Sequence, residues 1–261
     1  MPLGSRISDE IVSCGLPTEE DLFAELSTAV RFEDVGKGRR GAVLTRIDET
    51  GAVPLVRTTT RYGSPAQPFR PVHERLARLI HEHAGLPGGF NNALVETYTN
   101  AYRTMGSHSD QALDLAEDSF VAVFSCYRDP AAGQSRKLVL ETKGPGAQTL
   151  EIPLAHNGVV AFSVDANRRL RHRILWDAPA KAPDNPWLGV TFRVSKTLVR
   201  YRDGHVYLPG GTRLTAADEE QRREFYRLRR RENDETDFVY PPLTYTVSDS
   251  DLMPPDSPRS D

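Results

Sequence analysis

Cysteine is scarce in this sequence of 261 residues, in which Cys14 and Cys126 are the only two. Two cysteines are too few for a disulfide framework or for a zinc site built mainly from cysteine. The chain also has no apolar run near the roughly 20 residues that a membrane-spanning helix needs. Its first residues lack the apolar core of a signal peptide. Together these absences predict a cytoplasmic protein of a reducing compartment, with no membrane partner.

An excess of positive charge is missing as well. Lysine and arginine together number 33 against 36 aspartates and glutamates, so the net charge is −3. No global positive field therefore favours a polyanion, which removes one usual sign of a dedicated nucleic-acid-binding protein without excluding nucleic acid as a partner. Hydrophobic residues make up 38% of the chain and charged residues 26%, as in an ordinary globular protein.

Short β-rich runs alternate with turn signals over most of the second half of the chain. Such spacing is typical of a sandwich or barrel, and eight short strands suit a double-sheet jelly roll that can enclose a small cofactor. We therefore expect a mainly β protein with flanking helices, a double-stranded β-helix. The strands are predicted at residues 93–97, 120–126, 137–142, 149–153, 159–164, 170–176, 188–194 and 197–202.

Three regions are expected along the chain. Residues 1–89 should supply helices and lid-like strands packed on the core, after a loose lead at residues 1–15. Residues 90–210 should form the jelly-roll core. Residues 211–261 should form a charged helix and then a disordered tail, because residues 248–261 are rich in serine, aspartate and proline.

Several polar groups in these flanking regions have a simple structural interpretation. His73, His81 and His83, on or near a helix predicted from Val72 to Gly85, are interpreted as surface histidines. The basic turn at residues 36–41 and the arginine-rich run at residues 227–231 are interpreted as solvated. In both segments the alternative is contact with a phosphate.

The stretch at residues 90–110 ends in His108-Ser109-Asp110. On an extended segment, side chains two residues apart project to the same side. His108 and Asp110 can therefore present one nitrogen and one oxygen to a single metal ion. This pair is two thirds of the 2-His-1-carboxylate triad that holds non-haem Fe(II). The tripeptide alone is a weak sign, because it arises by chance in many proteins.

A second histidine on a facing strand would complete the triad. His172 lies within the strand predicted at residues 170–176 and is the preferred third ligand. His156 precedes an Asn-Gly turn, and His205 falls in a hairpin, so both are less well placed.

An Fe(II) oxygenase needs electrons to activate O₂, and the commonest organic donor in this class is 2-oxoglutarate. Its distal carboxylate needs a buried cation, and the planar fork of arginine serves it best. Arg193 follows the apolar run at residues 188–192, and Ser195 is expected to point the same way. We therefore predict that Arg193 and Ser195 bind the cosubstrate, with Arg200 as the next candidate. The alternative is that Arg193 sits at a strand end in solvent.

These segments resemble the Fe(II)/2-oxoglutarate dioxygenase superfamily and, within it, the AlkB-like branch. Residues 90–110 are similar to that branch's F-N-x-x-L-x-N-x-Y-x-x-G…H-x-D pattern. Residues 171–174, Arg-His-Arg-Ile, resemble its distal-histidine strand, and residues 190–193, Val-Thr-Phe-Arg, resemble its L-T-F-R segment. The resemblance covers about residues 53–195, so both ends of the chain lie outside it.

Two positions depart from the family pattern. Glu96 stands where the N-x-Y motif has asparagine, so only Tyr98 carries over as a residue that helps to hold 2-oxoglutarate. Trp187 stands where the first of two arginines, six residues apart, is usual. Either Arg193 acts alone, or the register shifts so that Arg193 and Ser195 take the distal carboxylate.

The resemblance implies Fe(II), 2-oxoglutarate and O₂ as cofactor and cosubstrates, and hydroxylation of a C–H bond. The segment at residues 53–69 resembles the nucleotide-recognition lid of the family, so Arg57, Arg61 and Tyr62 are candidate substrate contacts. The acidic net charge and the altered N-x-Y motif favour a small nucleotide-, nucleoside- or nucleobase-like substrate. The alternatives are oxidative demethylation of alkylated DNA or RNA bases, and a non-catalytic jelly roll that serves as a binding or sensor domain.

Overall fold

The computed structural model of the protein describes residues 7–179 and 182–256. Four α-helices lie in this part of the chain, and none of them combines the length and the apolar character needed to cross a membrane. The helices are α1 (Leu22–Ala29), α2 (Pro71–Ala84), α3 (Val164–Arg169) and α4 (Glu219–Asp234).

Strands make up most of the regular structure. In chain order they are β1 (Ile11–Gly15), β2 (Glu33–Gly36), β3 (Arg39–Thr45), β4 (Val53–Leu55), β5 (Gln67–Pro68), β6 (Asn92–Tyr98), β7 (Phe120–Tyr127), β8 (Arg136–Thr142), β9 (Thr149–Pro153), β10 (Gly158–Ser163), β11 (Leu170–Trp176), β12 (Trp187–Arg193), β13 (Thr197–Arg202), β14 (His205–Tyr207), β15 (Arg213–Ala216) and β16 (Tyr245–Thr246).

Two antiparallel sheets form the body of the molecule. The larger has the order β1-β10-β7-β12-β6-β3-β2, with β5 paired in parallel to β3, and the smaller has the order β11-β8-β9. An apolar cluster with members from β7, β8, β10 and β11 joins the two sheets. A second cluster packs α1 and α2 against the outer face of the larger sheet. The predicted jelly roll with flanking helices is therefore confirmed.

The predicted strands agree with the observed ones. Each of the eight strands predicted between residues 93 and 202 is present, with both ends within one residue of the prediction. In the region expected to supply lid-like strands, the β-rich run at residues 53–60 forms a strand only over Val53–Leu55. Beyond that strand, the backbone N–H of Arg57 turns to donate to Asp114 Oδ2 at 2.8 Å.

Both ends of the chain are more ordered than the composition indicates. Residues 11–15, expected in a loose lead, form β1 and pair with β10 in the larger sheet. Within the expected disordered tail, a 3₁₀ turn forms at Asp249–Leu252, and Ser248 and Ser250 are buried. The Ser248 hydroxyl accepts the backbone N–H of Tyr62 at 3.1 Å. Those expectations were wrong where the chain is described, and residues 1–6 and 257–261 lie outside the described residues.

The division of the chain after residues 89 and 210 stays a prediction. Contacts do cross the second boundary, since β14 pairs with β15. The C-terminal segment and the jelly roll are thus joined by backbone hydrogen bonds.

His73 is buried at the start of α2, although the sequence indicated a surface histidine. Its Nδ1 accepts the backbone N–H of Arg70 at 2.9 Å and so closes the first turn of the helix. Burial, and then the positive charge of Arg70, lower the pKa of His73 to about 4. His81 and His83 are exposed, as predicted.

We expect acid to destabilise the fold through His73. The unfolded imidazole protonates near pH 6.5 and the folded one near pH 4. The unfolded state therefore binds more protons between those values, and the free energy of unfolding should fall across that window as pH drops, by roughly 3 kcal/mol at most. His73→Asn keeps an acceptor for Arg70 but does not titrate, so its loss should be smaller. Urea unfolding at a series of pH values measures this, with His83→Asn as control. Equal pH slopes for wild type and His73→Asn would contradict the assignment.

Candidate functional site

Two facing segments bring the three predicted metal ligands together. His108 and His172 form an antiparallel bridge, in which the His108 N–H donates to the His172 carbonyl at 3.0 Å and the reverse bond measures 2.6 Å. Asp110 follows two residues after His108. One ligand atom from each of the three residues lies within 4.8 Å of the other two. The Nε2 atoms of His108 and His172 lie 4.0 and 3.7 Å from Asp110 Oδ1.

The protonation states of these side chains suit a divalent metal. Burial lowers the pKa of His172 to about 3, and burial also lowers that of His108. Both rings are therefore neutral near pH 7 and can donate a lone pair. Burial alone would raise the pKa of Asp110, but the adjacent Arg193 outweighs it and holds that pKa well below its usual range. Two neutral nitrogens and one carboxylate are the donor set of the facial triad.

Hydrogen bonds hold the Asp110 side chain and backbone in place. Arg193 Nε donates to Asp110 Oδ2 at 2.7 Å. The Asn167 amide pairs with the backbone of Asp110 in both directions, each bond 2.7 Å long. The Ser109 hydroxyl donates to the carbonyl of Leu170 at 2.6 Å. The Asp110 carboxylate is thus held from β12, the Asp110 backbone from α3, and the side chain of the preceding Ser109 from β11.

Arg193 and Ser195 do not point into the same space. Arg193 is buried and reaches the triad, so it does not end in solvent. The Ser195 hydroxyl instead donates to the carbonyl of Leu55 at 2.5 Å and accepts the N–H of Thr197 at 3.1 Å. Because β12 ends at Arg193, the alternation that would have kept both side chains together does not continue. Ser195 therefore has a structural contact, and only Arg193 of this pair borders the triad. Arg200, the next candidate, donates to the Thr50 carbonyl at 2.8 Å, outside the site.

A cavity of about 340 Å³ opens beside the triad. Strand alternation assigns the side chains of β12 to its two sides. Those on the cavity side are Trp187, Gly189, Thr191 and Arg193, and those packed toward the helices are Leu188, Val190 and Phe192. The floor of the cavity is thus a face of the larger sheet, and loops and α4 supply other walls.

Gly189 makes room for the indole ring of Trp187 in this floor. A Cβ atom at position 189 would collide with the Trp187 ring, so only glycine lets the indole lie across it. The indole Nε1–H is buried and has no hydrogen-bond partner among the described residues. It is an unused donor in the cavity wall.

Arg39 is a cavity cation that the sequence did not reveal. It was included in the solvated turn at residues 36–41, but it begins β3, opposite Tyr98 of β6. Its Nε donates to Glu96 Oε1 at 2.5 Å, and the Tyr98 hydroxyl donates to Glu96 Oε2 at 2.6 Å. Tyr98, predicted to touch the cosubstrate, is buried with its ring centroid 4.8 Å from that of Trp187. It supports Glu96, and it is not among the side chains that line the cavity.

Helix α4 contributes two side chains to the cavity. Asn233 Oδ1 accepts the backbone N–H of Ser109 at 3.0 Å, and the Arg229 guanidinium donates to the Ser109 carbonyl. Both side chains line the cavity. The interpretation of residues 227–231 as a solvated face is therefore wrong for Arg229, which lies on the inner side of the helix.

The three candidate substrate contacts lie outside the cavity. Arg57 forms a buried, bidentate ion pair with Asp114, with distances of 2.8 and 3.0 Å. Arg61 donates to a backbone carbonyl of the C-terminal segment at 3.3 Å, and Tyr62 is buried. These side chains anchor their own segment, of which Val56 and residues 58–60 line the cavity.

Comparisons with known proteins give little beyond this geometry. No protein-family model matches the chain, and no curated protein matches it. Among solved structures, it is similar to one described as "The structure of OsALKBH1", with 15% sequence identity and a TM-score of 0.49 over 70% of this chain and 96% of that chain. A likeness of this size carries no conclusion about function.

We expect His172→Ala to lose most of the affinity for a divalent metal, because it removes one of three ligands. The loss should exceed the roughly 10–100-fold typical of changes to outer-shell residues. Anaerobic titration with Co(II), followed by absorption, measures it. His156→Ala is the matched control, because the His156 Nδ1 accepts the N–H of Tyr127 at 3.1 Å. Retained Co(II) binding in His172→Ala with loss in His156→Ala would show that the wrong ligand is named.

Proposed function

We propose that the protein is an Fe(II)- and 2-oxoglutarate-dependent oxygenase that hydroxylates a C–H bond of a small nucleotide-, nucleoside- or nucleobase-like substrate. The observation that supports this best is the convergence of His108, Asp110 and His172 beside the cavity. A facial set of two imidazoles and one carboxylate leaves positions open for a cosubstrate and O₂. The resemblance of residues 90–110 to the AlkB-like pattern supports the same chemistry. With 2-oxoglutarate and O₂, such an iron supplies an oxidant for a nearby C–H bond.

The formal charges of the cavity suit a dicarboxylate next to a divalent metal. Each of its three arginines faces a carboxylate, so their charges cancel and the two positive charges of the metal remain. The pairs are Arg39–Glu96, Arg193–Asp110 and Arg229–Glu232. A dianion such as 2-oxoglutarate would neutralise the site, and the unpaired Trp187 indole N–H offers a donor to a carboxylate.

The arginines have different tasks in this proposal. Arg193 is a positioning residue, because it holds the ligand Asp110 ionised and oriented. Arg39 lies at the other end of β12, since it is opposite Tyr98, which is itself opposite Trp187. We assign the distal carboxylate of 2-oxoglutarate to Arg39 and the Trp187 indole. This assignment fills the position where the family's first arginine is missing.

A polymeric substrate remains the second candidate, because of one surface. The outer side of α4 carries exposed arginines, among them Arg223 and Arg227 with 74% and 60% of their side chains exposed. Such a face could contact a phosphate backbone, as an oxidative demethylase of alkylated DNA or RNA bases would require. The net charge of −3 favours the small substrate.

Reconstitution with Fe(II) and 2-oxoglutarate tests the proposed chemistry. We expect a metal-to-ligand charge-transfer band without oxygen, and succinate formation after O₂ is added, stimulated by nucleotides. His172→Ala should show neither. Turnover of a mononucleotide should depend weakly on salt, whereas a polynucleotide substrate loses about 0.7–0.9 in log K per phosphate contact for each tenfold rise in salt. Iron binding with no band and no succinate would favour the binding or sensor alternative.

The Arg39 assignment has a closely matched control on the same strand. Arg39→Gln should weaken 2-oxoglutarate binding by roughly 10- to 150-fold, the loss of a charge-assisted pair worth about 1.5–3 kcal/mol. Arg40→Gln should bind normally, because Arg40 reaches the Phe32 carbonyl at 3.5 Å outside the cavity. Titration of the charge-transfer band measures both. 2-Oxobutyrate, which lacks the distal carboxylate, should bind Arg39→Gln and wild type alike. An equal loss for both oxo acids would refute the assignment.

A further inference from the structure

Gln111 carries a buried side-chain amide of which neither polar atom is paired. Its Oε1 and Nε2 have no hydrogen-bond partner in the part of the chain that the structure describes, and the residue is only 5% exposed. It directly follows the ligand Asp110 and lines the cavity beside the triad. An unpaired buried donor or acceptor costs free energy, so native proteins keep few of them. A residue with both kinds unpaired at the edge of a cavity points to a missing ligand.

Three other polar side chains that line the cavity already have partners within the chain. Asn233 Oδ1 accepts from Ser109, and Arg229 donates to the carbonyl of Ser109 and to Glu232. The Asp110 carboxylate accepts from Arg193. None of these contacts uses the Gln111 amide, so its hydrogen-bonding capacity is left for a bound molecule.

The backbone around Gln111 is held on both sides. The N–H and carbonyl of Asp110 pair with Asn167 at 2.7 Å each. The N–H of Ala112 donates to Glu232 Oε1 at 2.7 Å. The Gln111 side chain therefore projects from a segment tied to both α3 and α4. Such preorganisation reduces the entropy lost when the amide binds a partner.

Gln67 shows the contrasting, structural use of a buried glutamine in the same protein. It is 8% exposed, similar to Gln111. Its Oε1 accepts the backbone N–H of Arg31 at 3.0 Å, and its Nε2 donates to the Arg31 carbonyl at 2.8 Å. Both amide atoms of Gln67 are thus satisfied within the chain, whereas those of Gln111 are not.

We propose that Gln111 determines substrate specificity by binding a group that carries a hydrogen-bond donor and an acceptor on neighbouring atoms. A glutamine amide offers an N–H and a C=O side by side, and the complementary groups are the edge of a nucleobase and a carboxamide. Because Gln111 lines the same cavity as His108, Asp110 and His172, the group that it holds lies in the cavity that borders the metal site. This inference rests on the proposed function, since it names the chemical class recognised in the same site.

The first test needs no ligand or metal. Replacing Gln111 by Leu, or by the unbranched Met, removes an unpaired amide, so the melting temperature should stay equal or rise. Gln67→Leu removes two made hydrogen bonds and should lower the melting temperature by about 2–8 °C. If both Gln111 variants fall as far as Gln67→Leu, the Gln111 amide has a structural partner and the proposal is overturned.

The second test measures binding to the anaerobic Fe(II)/2-oxoglutarate protein by calorimetry. The probes are AMP, CMP, GMP and UMP, with ribose 5-phosphate as the base-free control and N-acetylasparagine amide as the carboxamide source. We expect at least one probe with an amide-like edge to bind better than ribose 5-phosphate. Gln111→Leu should weaken that binding about 5- to 150-fold, while 2-oxoglutarate affinity is unchanged.

The outcomes distinguish this inference from the proposed function. A preference for a nucleotide assigns the edge to a nucleobase, and a preference for the carboxamide assigns it to an amide. If no probe binds better than ribose 5-phosphate, or if Gln111→Leu binds every probe like the wild type, Gln111 does not recognise such an edge. Absence of the charge-transfer band in the wild type would instead contradict the proposed iron chemistry. The melting temperatures of the Gln111 and Gln67 variants would still show whether the Gln111 amide has a structural partner.

Discussion

The ion pair between Arg193 and Asp110 is the interaction on which the rest of the site depends. A carboxylate buried between apolar strands takes up a proton unless a cation compensates its charge. Arg193 Nε provides that cation at 2.7 Å, and it arrives from the end of β12. Removing one partner would leave a buried, uncompensated charge at a cost of roughly 3–5 kcal/mol. The same contact ties the larger sheet to the segment from His108 to Asp110. One ion pair therefore keeps Asp110 ionised and also fixes its position in the triad.

Elements outside the jelly roll complete the cavity by similar means. Arg229 and Asn233 of α4 hold the backbone of the H-x-D segment from one side. The buried pair between Arg57 and Asp114 holds the segment around residues 58–60 on another side, and Arg57 also donates to two C-terminal carbonyls at 2.8 and 3.1 Å. The C-terminal region therefore contributes to the site, although sequence composition indicated a solvated helix and a loose tail.

Satisfied and unsatisfied polar groups divide the cavity into structural and binding parts. Arg193 and Arg229 are paired with carboxylates and hold the wall around residues 108–110, whereas Arg39, paired with Glu96, is the arginine to which we assign the cosubstrate. The unpaired groups are the Trp187 indole N–H near Arg39 and the Gln111 amide beside the triad. In our proposals the Trp187 end receives an anionic cosubstrate and the Gln111 end receives the substrate. The three proposed metal ligands line the same cavity as Gln111, where chemistry on a held group would take place.

Local patterns in the sequence predicted the eight strands and selected His172 as the third ligand beside His108 and Asp110. They could do so because alternation and turn signals depend only on neighbouring residues. The same patterns did not predict that Arg39, Gln111 and Arg229 line the cavity. Arg39 enters the site because β3 pairs with β6, which lies more than 50 residues further along the chain. Ser195 was misplaced because the observed strand stops at Arg193, before the alternation could reach it. Only the tertiary structure decides which side chains share a cavity, since packing between segments distant in the chain brings them together and no local pattern contains that register.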